Sequence, residues 1–317
     1  MSKIVVTGGA GYIGSYLVKK LLNSGHKVKS VDNLSRGNYQ LLQDLQCENL
    51  RLVVGDVRDL ISMGEAFKGA DAVAHLAAIS SLEDCRENPE EAISVNIFGT
   101  QQVLEAAVRE KIEKVVFCSS ASVYGNPERL PVDESHPLRP LNLYGVTKVA
   151  GEKLAESFHM NYHIETVSLR FGNVFGVGLY TNWDSVIPKF VKQGLSGKPL
   201  TIYGNGDSSR DFVHIDDIVK AIIMTVEKED IGGEVFNVGG EVISIETLAK
   251  IVEDEVEKHT GKPTNRMYFP ERKGEAKNFS YDLGKIEKCL GYKPSFNIKE
   301  GVSQLVKYYL RQRIVES

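Results

Sequence analysis

The chain has 317 residues, of which 42% are hydrophobic and 25% charged, and its formal net charge is −4. These values are ordinary for a folded globular protein with a sizeable core. The slight acidity argues against nucleic acid as a partner. The four cysteines lack CxxC spacing, which disfavours a metal knuckle and suits a reducing compartment.

The apolar runs of the sequence are too short to indicate a signal peptide or a membrane-spanning helix. The opening MSKIVV is too short an apolar run for a signal peptide, and the longest later run, AIIMTV at 221–226, is far below bilayer-spanning length. We therefore expect a cytoplasmic protein with no membrane partner.

Short β-branched runs recur along the chain. The first six are almost continuously apolar, which is typical of strands buried on both faces of a parallel sheet. Helical patterns separate most of them, most clearly at 12–25, 87–111 and 144–162. Strands that alternate with helices predict an α/β fold with a doubly wound parallel (Rossmann) sheet. The predicted strands are 3–8, 27–33, 50–56, 71–77, 114–120, 165–171 and 234–240.

Two regions depart from this alternation and predict a second lobe. Residues 173–209 are rich in glycine with shorter periodic pieces, and the pattern changes again after 241, whereas 210–240 return to a helix and a strand. We therefore predict a larger doubly wound domain formed by 1–172 and 210–240. A smaller α/β lobe would comprise 173–209 and 241–317.

The stretch TGGAGYIG at 7–14 follows the first strand directly and opens the first helix. Gly8, Gly11 and Gly14 have the spacing GxxGxxG, which lets the backbone turn sharply and approach a pyrophosphate at a helix N-terminus. A glycine turn alone is weak, because any tight strand-to-helix connection can require glycine. Here the strand before it and the helix after it favour dinucleotide binding.

Carboxylates at two further strand ends strengthen that interpretation. Asp32 ends the second strand, where it would accept hydrogen bonds from a ribose and repel a 2′-phosphate. This favours NAD over NADP, although Arg36 nearby is a cation that would soften the choice. Asp56 ends the third strand and is placed to bind the adenine amino group.

The stretch YGVTK places Tyr144 and Lys148 one helical turn apart. A solvated helix face would explain such a pair. The fifth strand, however, ends in SSASVYG, and strand ends line the ligand crevice, so Ser120 and Ser122 should lie near the phenol. A close ammonium, with a positive nicotinamide ring, would lower a tyrosine pKa that is ordinarily near ~10. Ser120 would hold the substrate hydroxyl while its proton moves to Tyr144.

Taken together, TGGAGYIG, HLAA, SSASVYG and YGVTK resemble the extended short-chain dehydrogenase/reductase family. The resemblance is to its nucleotide-sugar epimerase branch, nearest to the UDP-glucose 4-epimerases, and it covers essentially the whole chain. Further motifs in the family's order are VDNLSRG, SVNIFGT, LRFGNVFG, RDFVHIDD and ERKGE.

The resemblance implies NAD as cofactor, a UDP-sugar as substrate and Ser120, Tyr144 and Lys148 as catalytic residues. Arg210 and Arg272 match phosphate- or ribose-binding positions of the family, and guanidinium forks suit diphosphate oxygens. The implied cofactor-binding residues are Gly8, Gly11, Tyr12, Ile13, Gly14, Asp32, Asn33, Ser35, Arg36, Asp56, Val57, Leu76, Ala77, Ala78, Asn96, Tyr144, Lys148 and Phe171. The implied substrate-binding residues are Ser81, Ser120, Ser122, Tyr144, Asn173, Thr201, Tyr203, Arg210, Arg272, Glu275 and Phe279.

The reaction is narrowed by residues that the chain lacks. In the resembling dehydratases an Asp–Glu pair precedes VYG, but here these positions are Ala121 and Ser122. Elimination then has no general acid. The expectation is 4-epimerisation of a UDP-hexose, with transient oxidation at C4, rotation of the keto sugar and return of the hydride. A UDP-glucuronate or UDP-N-acetylhexosamine 4-epimerase, a net NAD-linked nucleotide-sugar dehydrogenase and a non-catalytic dinucleotide sensor are the alternatives.

Three further expectations complete the sequence interpretation. Phe279 matches a position where bulky aromatics exclude N-acetylhexosamines, so we expect UDP-glucose and UDP-galactose to be preferred. Segments 88–110 and 143–162 match the helices that pair in the family's homodimer. His159 and His163 have helical ligand spacing, but no third ligand accompanies them, so no metal site is expected.

Overall fold

The apolar runs of the sequence pair into one parallel sheet. The computed structural model describes residues 1–45, 47–179, 181–182, 185–271 and 277–316. Its strands are β1 (Lys3–Thr7), β2 (Lys27–Asp32), β3 (Leu50–Val54), β4 (Ala72–His75), β5 (Lys114–Ser120), β6 (Glu165–Phe171), β7 (Asn173–Phe175), β8 (Leu200–Tyr203), β9 (Ser209–His214), β10 (Val235–Val238), β11 (Glu241–Ser244) and β12 (Arg266–Phe269). Its helices are α1 (Tyr12–Asn23), α2 (Gln40–Gln43), α3 (Leu60–Phe67), α4 (Leu82–Glu87), α5 (Pro89–Ile93), α6 (Gly99–Arg109), α7 (Leu143–Tyr162), α8 (Val186–Leu195), α9 (Ile215–Glu227), α10 (Ile245–Thr260), α11 (Gly284–Leu290) and α12 (Ile298–Glu316).

The central sheet has the order β10–β6–β5–β4–β1–β2–β3, and its strand pairs are all parallel. The seven strands are the seven that the sequence predicts, so the doubly wound α/β fold is confirmed. From β1 the chain adds β2 and β3 on one side and then β4 on the other, so the strand order reverses between β1 and β4. A crevice opens at such a reversal, outside the carboxyl ends of the strands.

Alternate residues of the central strands supply two cores. On β1, Ile4 and Val6 face a core shared with α1 and α9, whereas Val5 faces a core shared with α3 and α6. All three side chains are at most 1% exposed. Burial on both faces explains why these runs are continuously apolar rather than alternating.

In the described part of the chain, two smaller sheets form beyond this core. One has the order β11–β9–β7, and the other pairs β12 with β8. A separate core joins them to α8, α10 and α12. Strand β9 therefore pairs outside the central sheet, whereas α9 and β10, which follow it, return to that sheet.

The helix predicted at 87–111 is interrupted. Asn88 separates α4 from α5, and a π-helical turn, Ser94–Phe98, separates α5 from α6. π-Helical turns are rare in proteins, and those that do occur often lie at functional sites. Here the turn carries Asn96, whose side chain reaches the segment after β4.

Candidate active site

The glycine turn packs too closely for other side chains. Gly8 has φ +69°, and a Cβ there would lie 2.7 Å from the Ala77 amide nitrogen. A Cβ on Gly14 would overlap the Gly8 carbonyl oxygen. A Cβ on Gly11 would meet only that same oxygen, at 3.3 Å, so the space around this position is open. Among the described residues no side chain caps the first turn of α1. The turn thus presents a helix N-terminus that a pyrophosphate fits.

The predicted acidic residues converge beside this turn. Asp32 accepts hydrogen bonds from the amides of Ala10 (3.0 Å) and Leu34 (2.8 Å). Asn33 donates its side-chain amide to Asp56 at 3.1 Å. The Arg58 guanidinium, bonded to Asp56 at 2.8 and 2.9 Å, holds the pKa of that carboxyl well below its usual range. Both strand ends therefore offer fixed carboxylate acceptors.

Arg36 does not lie at the carboxylate of Asp32. Its guanidinium pairs with Asp84, on α4, so the loop after β2 is joined to the helix after β4. Ser35 donates its amide to the Asn33 side chain at 3.1 Å. The strands that precede this loop and this helix, β2 and β4, flank β1, whose end carries the glycine turn.

The segment after β4 forms the opposite wall of the crevice. The amide of Leu76 donates to the Thr7 carbonyl at 3.2 Å, which ties the segment to β1. Asn96 accepts from the Ile79 amide at 2.7 Å and donates to the Thr147 hydroxyl at 3.0 Å. Thr147 in turn donates to the Tyr144 carbonyl at 2.8 Å. Asn96 therefore joins this wall to α7. Ala77 and Ala78 lie in the same segment.

The remaining predicted cofactor residues surround the crevice. Val57 and Phe171 are each 6% exposed and pack in the two cores beneath it. Tyr12 donates its hydroxyl to the Gly176 carbonyl at 2.7 Å, and burial raises its pKa. Ile13 packs partly buried against the core under α1.

The tyrosine, lysine and serine meet at the end of β5. The Ser120 side chain lies close enough to Tyr144 to lower the pKa of that phenol, and its hydroxyl lies 3.2 Å from that of Ser122. Lys148 donates to the Cys118 carbonyl at 2.7 Å, and its ammonium lies 5.7 Å from the centre of the Tyr144 ring. Lys148 is 4% exposed. The structure thus brings Ser120, Tyr144 and Lys148 together, and their acid–base roles stay a prediction.

Without the nicotinamide ring, burial has the largest effect on the pKa values of Tyr144 and Lys148. Burial raises the pKa of Tyr144, and its hydrogen bond with Ser120 lowers that pKa only in part. Burial lowers the pKa of Lys148 to about 8. The thiols of Cys85 and Cys118, which also face the pair, have raised pKa values because they are buried. The protein groups alone therefore leave the phenol neutral, and an acidic phenol requires positive charge brought by a ligand.

The paired strands β8 and β12 carry an aromatic surface. Thr201 and Tyr203 stand opposite Met267 and Phe269 in the parallel register. The rings of Tyr203 and Phe269 lie 5.7 Å apart, and the two residues are 36% and 38% exposed. Such faces can stack on a planar base. The sequence interpretation missed Phe269 and Met267, because their pairing with β8 spans more than sixty positions.

Three other predicted substrate residues surround β9. Asn173 donates to the Asp211 carbonyl at 3.3 Å, and Arg210 donates to the Lys277 carbonyl at 2.9 Å. Phe279 is 4% exposed and lies 4.9 Å from the Tyr281 ring in an edge-on arrangement. Arg210 thus lies against the segment that leads to Phe279. The predictions for Arg272 and Glu275 lie outside the described residues.

Ser81 has a structural contact of its own. Its hydroxyl accepts from the Asp84 amide at 3.2 Å, which caps α4. The histidine predicted to lack metal partners has a backbone contact. The Nδ1 atom of His159 lies 3.0 Å from the carbonyl oxygen of Ile164. No cluster of three or more metal-ligating side chains occurs among the described residues. Within the same residues, no helix combines the length and apolarity that crossing a bilayer requires.

Comparison with known proteins agrees with this geometry. A sequence profile of the NAD dependent epimerase/dehydratase family matches residues 4–239. A putative UDP-glucose 4-epimerase of Methanocaldococcus jannaschii is 35% identical over 96% of this chain and 97% of that protein.

Solved structures with the same architecture include enzymes that act on different UDP-sugars. The UDP-N-acetylglucosamine 4-epimerase of Methanobrevibacter ruminantium, in complex with UDP-N-acetylmuramic acid, superposes with a TM-score of 0.90 at 33% identity, covering 98% of this chain and 99% of that one. The UDP-glucuronic acid 4-epimerase of Bacillus cereus, with UDP-glucuronic acid and NAD, gives 0.89 at 33% identity over 98% and 99%.

Proposed function

Because the chain belongs to the NAD dependent epimerase/dehydratase family, we propose that it is a 4-epimerase that interconverts UDP-glucose and UDP-galactose. The observation that carries the proposal is the contact of Ser120 with Tyr144, with Lys148 one turn further along the same helix. No carboxylate lies on the adjoining turn, Ala121–Val123, in the described structure.

The cofactor is NAD, and the crevice fits it. The glycine turn would hold the pyrophosphate at the N-terminus of α1, because Gly8 and Gly14 permit a tight backbone turn that a Cβ at either position would disrupt. Asp32 would take the ribose hydroxyls and repel a 2′-phosphate. When bound, NAD supplies a hydride acceptor and a positive ring beside the sugar.

The catalytic residues divide the proton chemistry between them. The Tyr144 phenolate removes the proton from the sugar 4-hydroxyl as C4 is oxidised, and the phenol returns it when C4 is reduced. Ser120 holds the same sugar oxygen through its hydroxyl. Lys148 stabilises the phenolate by its charge, since burial strengthens electrostatic interactions. Inversion follows when the keto sugar presents its other face before reduction.

The same turn disfavours elimination. A dehydratase needs an acid to protonate the departing hydroxyl. The 3-10 turn that follows Ser120 carries Ala121 and Ser122, and neither supplies a carboxylic acid. The hydride then returns to the carbon from which it came, and the net reaction is isomerisation.

The smaller lobe supplies the nucleotide contacts in this proposal. Tyr203 would stack on uracil with Phe269 opposite, and Thr201 lies on the same strand. Arg210 and Asn173, which lie together at β9, would bind the diphosphate. The division into domains 1–172 with 210–240 and 173–209 with 241–317 remains a proposal. Its support is that α9 and β10, within 210–240, pack against and pair in the central sheet, whereas β9 at the start of that range pairs in a small sheet.

Phe279 supports the preference for hexoses without an acetamido group. Its ring is buried between Tyr124 (6.0 Å) and Tyr281 (4.9 Å) and is 4% exposed. A packed ring has little freedom to move aside for a larger substituent. The UDP-N-acetylhexosamine and UDP-glucuronate alternatives are tested directly by comparing those substrates with UDP-galactose.

Exposed apolar side chains support a homodimer. Ile93 and Phe98 are 45% and 46% exposed on the segment 88–110, and Val146 is 45% exposed on α7. Met160, near the end of α7, is 70% exposed. A second copy that covered both segments would remove this surface from water. Light scattering at micromolar concentration should give twice the chain mass, and a monomeric mass would contradict this part.

We also propose a cytoplasmic location. Its support is the cysteine usage, because Cys47, Cys85, Cys118 and Cys289 are all free. A reducing compartment keeps such thiols unpaired.

The proposal is tested by product analysis. Purified enzyme given UDP-galactose alone, without added NAD, should produce UDP-glucose by NMR. UDP-N-acetylgalactosamine and UDP-glucuronate should react at least ~10-fold more slowly, as expected for one to three kcal/mol of steric discrimination. Tyr144→Phe should abolish turnover while NAD remains bound. Retained activity in that variant would contradict the assigned role of the phenol.

A further inference from the structure

A buried polar network lies behind the catalytic turn and takes no part in the proposed proton transfer. Ser119, Arg170 and Asn237 occupy one row of the central sheet, in register across β5, β6 and β10. They are 2%, 4% and 0% exposed. Three buried polar residues in register on neighbouring strands of a parallel sheet are unusual, since buried positions of such a sheet are mostly apolar.

The row is completed by a carboxylate from α7. Glu152, 4% exposed, receives two hydrogen bonds from the Arg170 guanidinium at 2.6 and 2.9 Å. Ser119 donates its hydroxyl to the same carboxylate at 2.5 Å. Because Ser119 precedes Ser120, this carboxylate is bonded to the side chain of the residue adjacent to the one that carries the catalytic hydroxyl.

The far end of the turn is held by the same guanidinium. Tyr124 is fully buried, and its hydroxyl accepts from Arg170 at 2.6 Å and donates to Asn237 at 2.7 Å. The turn from Ser120 to Tyr124 is thus fixed at both ends by one connected set of side chains.

The geometry on α7 relates this network to the catalytic pair. Tyr144, Lys148 and Glu152 are spaced four residues apart, so they share one face of the helix. Lys148 bonds to the Cys118 carbonyl and Glu152 to the Ser119 hydroxyl, so successive helical turns attach to successive residues of β5.

Such an arrangement carries an energetic cost. Removing two charges from water is expensive, and a well-packed apolar pair is often at least as stable as a buried ion pair. A contribution to stability therefore does not explain the buried ion pair of Glu152 and Arg170. A requirement to hold the catalytic turn in one fixed geometry does explain it.

We propose that Glu152, Arg170 and Tyr124 are positioning residues, which fix the catalytic turn against α7 so that the Ser120 hydroxyl stays aligned with the Tyr144 phenol. The inference rests on the proposed epimerase function. These residues act through Ser120 and touch neither substrate nor cofactor.

Tyr124→Phe is the test, because it removes one hydroxyl and leaves the ring in its aromatic cluster. The expected result is a fall in kcat of at least ~10-fold, as for a small misplacement of a catalytic group, with KM within about twofold. The acidic limb of the kcat profile should also move to higher pH. The hydrogen bond from Ser120 lowers the phenol pKa, so a looser turn leaves a phenol that ionises later.

Tyr292→Phe is the matched control. Tyr292 is 1% exposed and donates its hydroxyl to the Gly239 carbonyl at 2.8 Å rather than to Glu152, Arg170 or Asn237. The Tyr292→Phe substitution should lower the free energy of unfolding about as much as Tyr124→Phe does, and it should leave kcat and the pH profile of kcat unchanged. A second pair of variants, Ser119→Ala and Glu105→Gln at a half-buried position of α6, repeats the comparison with smaller changes.

The outcomes separate the two claims. If wild-type enzyme does not epimerise UDP-sugars, the proposed function fails before any variant is compared. If it does, but Tyr124→Phe and Ser119→Ala match their controls in kcat and pH profile, the positioning role is overturned. Should Tyr124→Phe fail to fold, Ser119→Ala decides the matter.

Discussion

Replacing Lys148 by methionine should lower activity and raise stability at the same time. The ammonium is 4% exposed and lies 5.7 Å from the centre of the Tyr144 ring. At that distance a charge–charge interaction is about 3 kcal/mol for an effective dielectric constant of about 20. Loss of this stabilisation of the phenolate should lower kcat at pH 7 by roughly 100-fold.

The stability effect has the opposite sign. Folding lowers the lysine pKa from 10.5 to about 8. At pH 7 the charged lysine therefore destabilises the native state by roughly 3 kcal/mol. Loss of the hydrogen bond to the Cys118 carbonyl offsets about 1 kcal/mol of the gain. We expect Lys148→Met to increase the free energy of unfolding by about 2 kcal/mol at pH 7, as in other stability–activity trade-offs.

The pH dependence makes the test specific. Between pH 8 and 10.5 the unfolded chain keeps the lysine proton that the native state has released, so wild-type stability gains a contribution that rises with pH. The methionine variant lacks this contribution, and its advantage should disappear across that interval. The assay is urea unfolding at a series of pH values, with Lys153→Met, an exposed pair partner of Glu156, as control. An advantage that does not change with pH, or a kcat loss below threefold, would refute the reasoning.

Three other substitutions test separate parts of the account. Gly14→Ala should lower the NAD content of purified protein at least ~10-fold, because its Cβ would overlap the Gly8 carbonyl; NAD released by heating measures this, and an unchanged content contradicts the assigned turn. Phe279→Ser should raise the rate with UDP-N-acetylgalactosamine relative to UDP-galactose at least ~10-fold by NMR, since it vacates aromatic volume; an unchanged ratio would remove Phe279 from specificity. Phe98→Glu should yield a monomer by light scattering, because it places a charge on the proposed dimer surface; an intact dimer would exclude that surface.

The sheet was predictable because its signal is local. Continuous β-branched runs mark strands buried on both faces, and all seven predicted strands pair in one parallel sheet. The glycine turn and the YGVTK helix were equally visible, since each depends on residues a few positions apart.

What the sequence did not reveal depends on distant partners. Nothing near Asn96 signals a π-helical turn, because its side chain bonds the Ile79 backbone seventeen residues away. Glu152 has the pattern of an ordinary helix-surface glutamate, and only the fold shows that Arg170 neutralises it. The degree to which burial raises the pKa of Tyr144 was equally hidden, because it depends on distant segments that pack around the phenol.

The most direct test of the central claim follows the hydrogen at C4. The enzyme is given UDP-galactose that carries deuterium at C4, in ordinary water and without added NAD, and the UDP-glucose formed is examined by NMR. Removal and return of the same hydride predicts that the product keeps deuterium at C4. Replacement of that deuterium by solvent hydrogen would contradict the account.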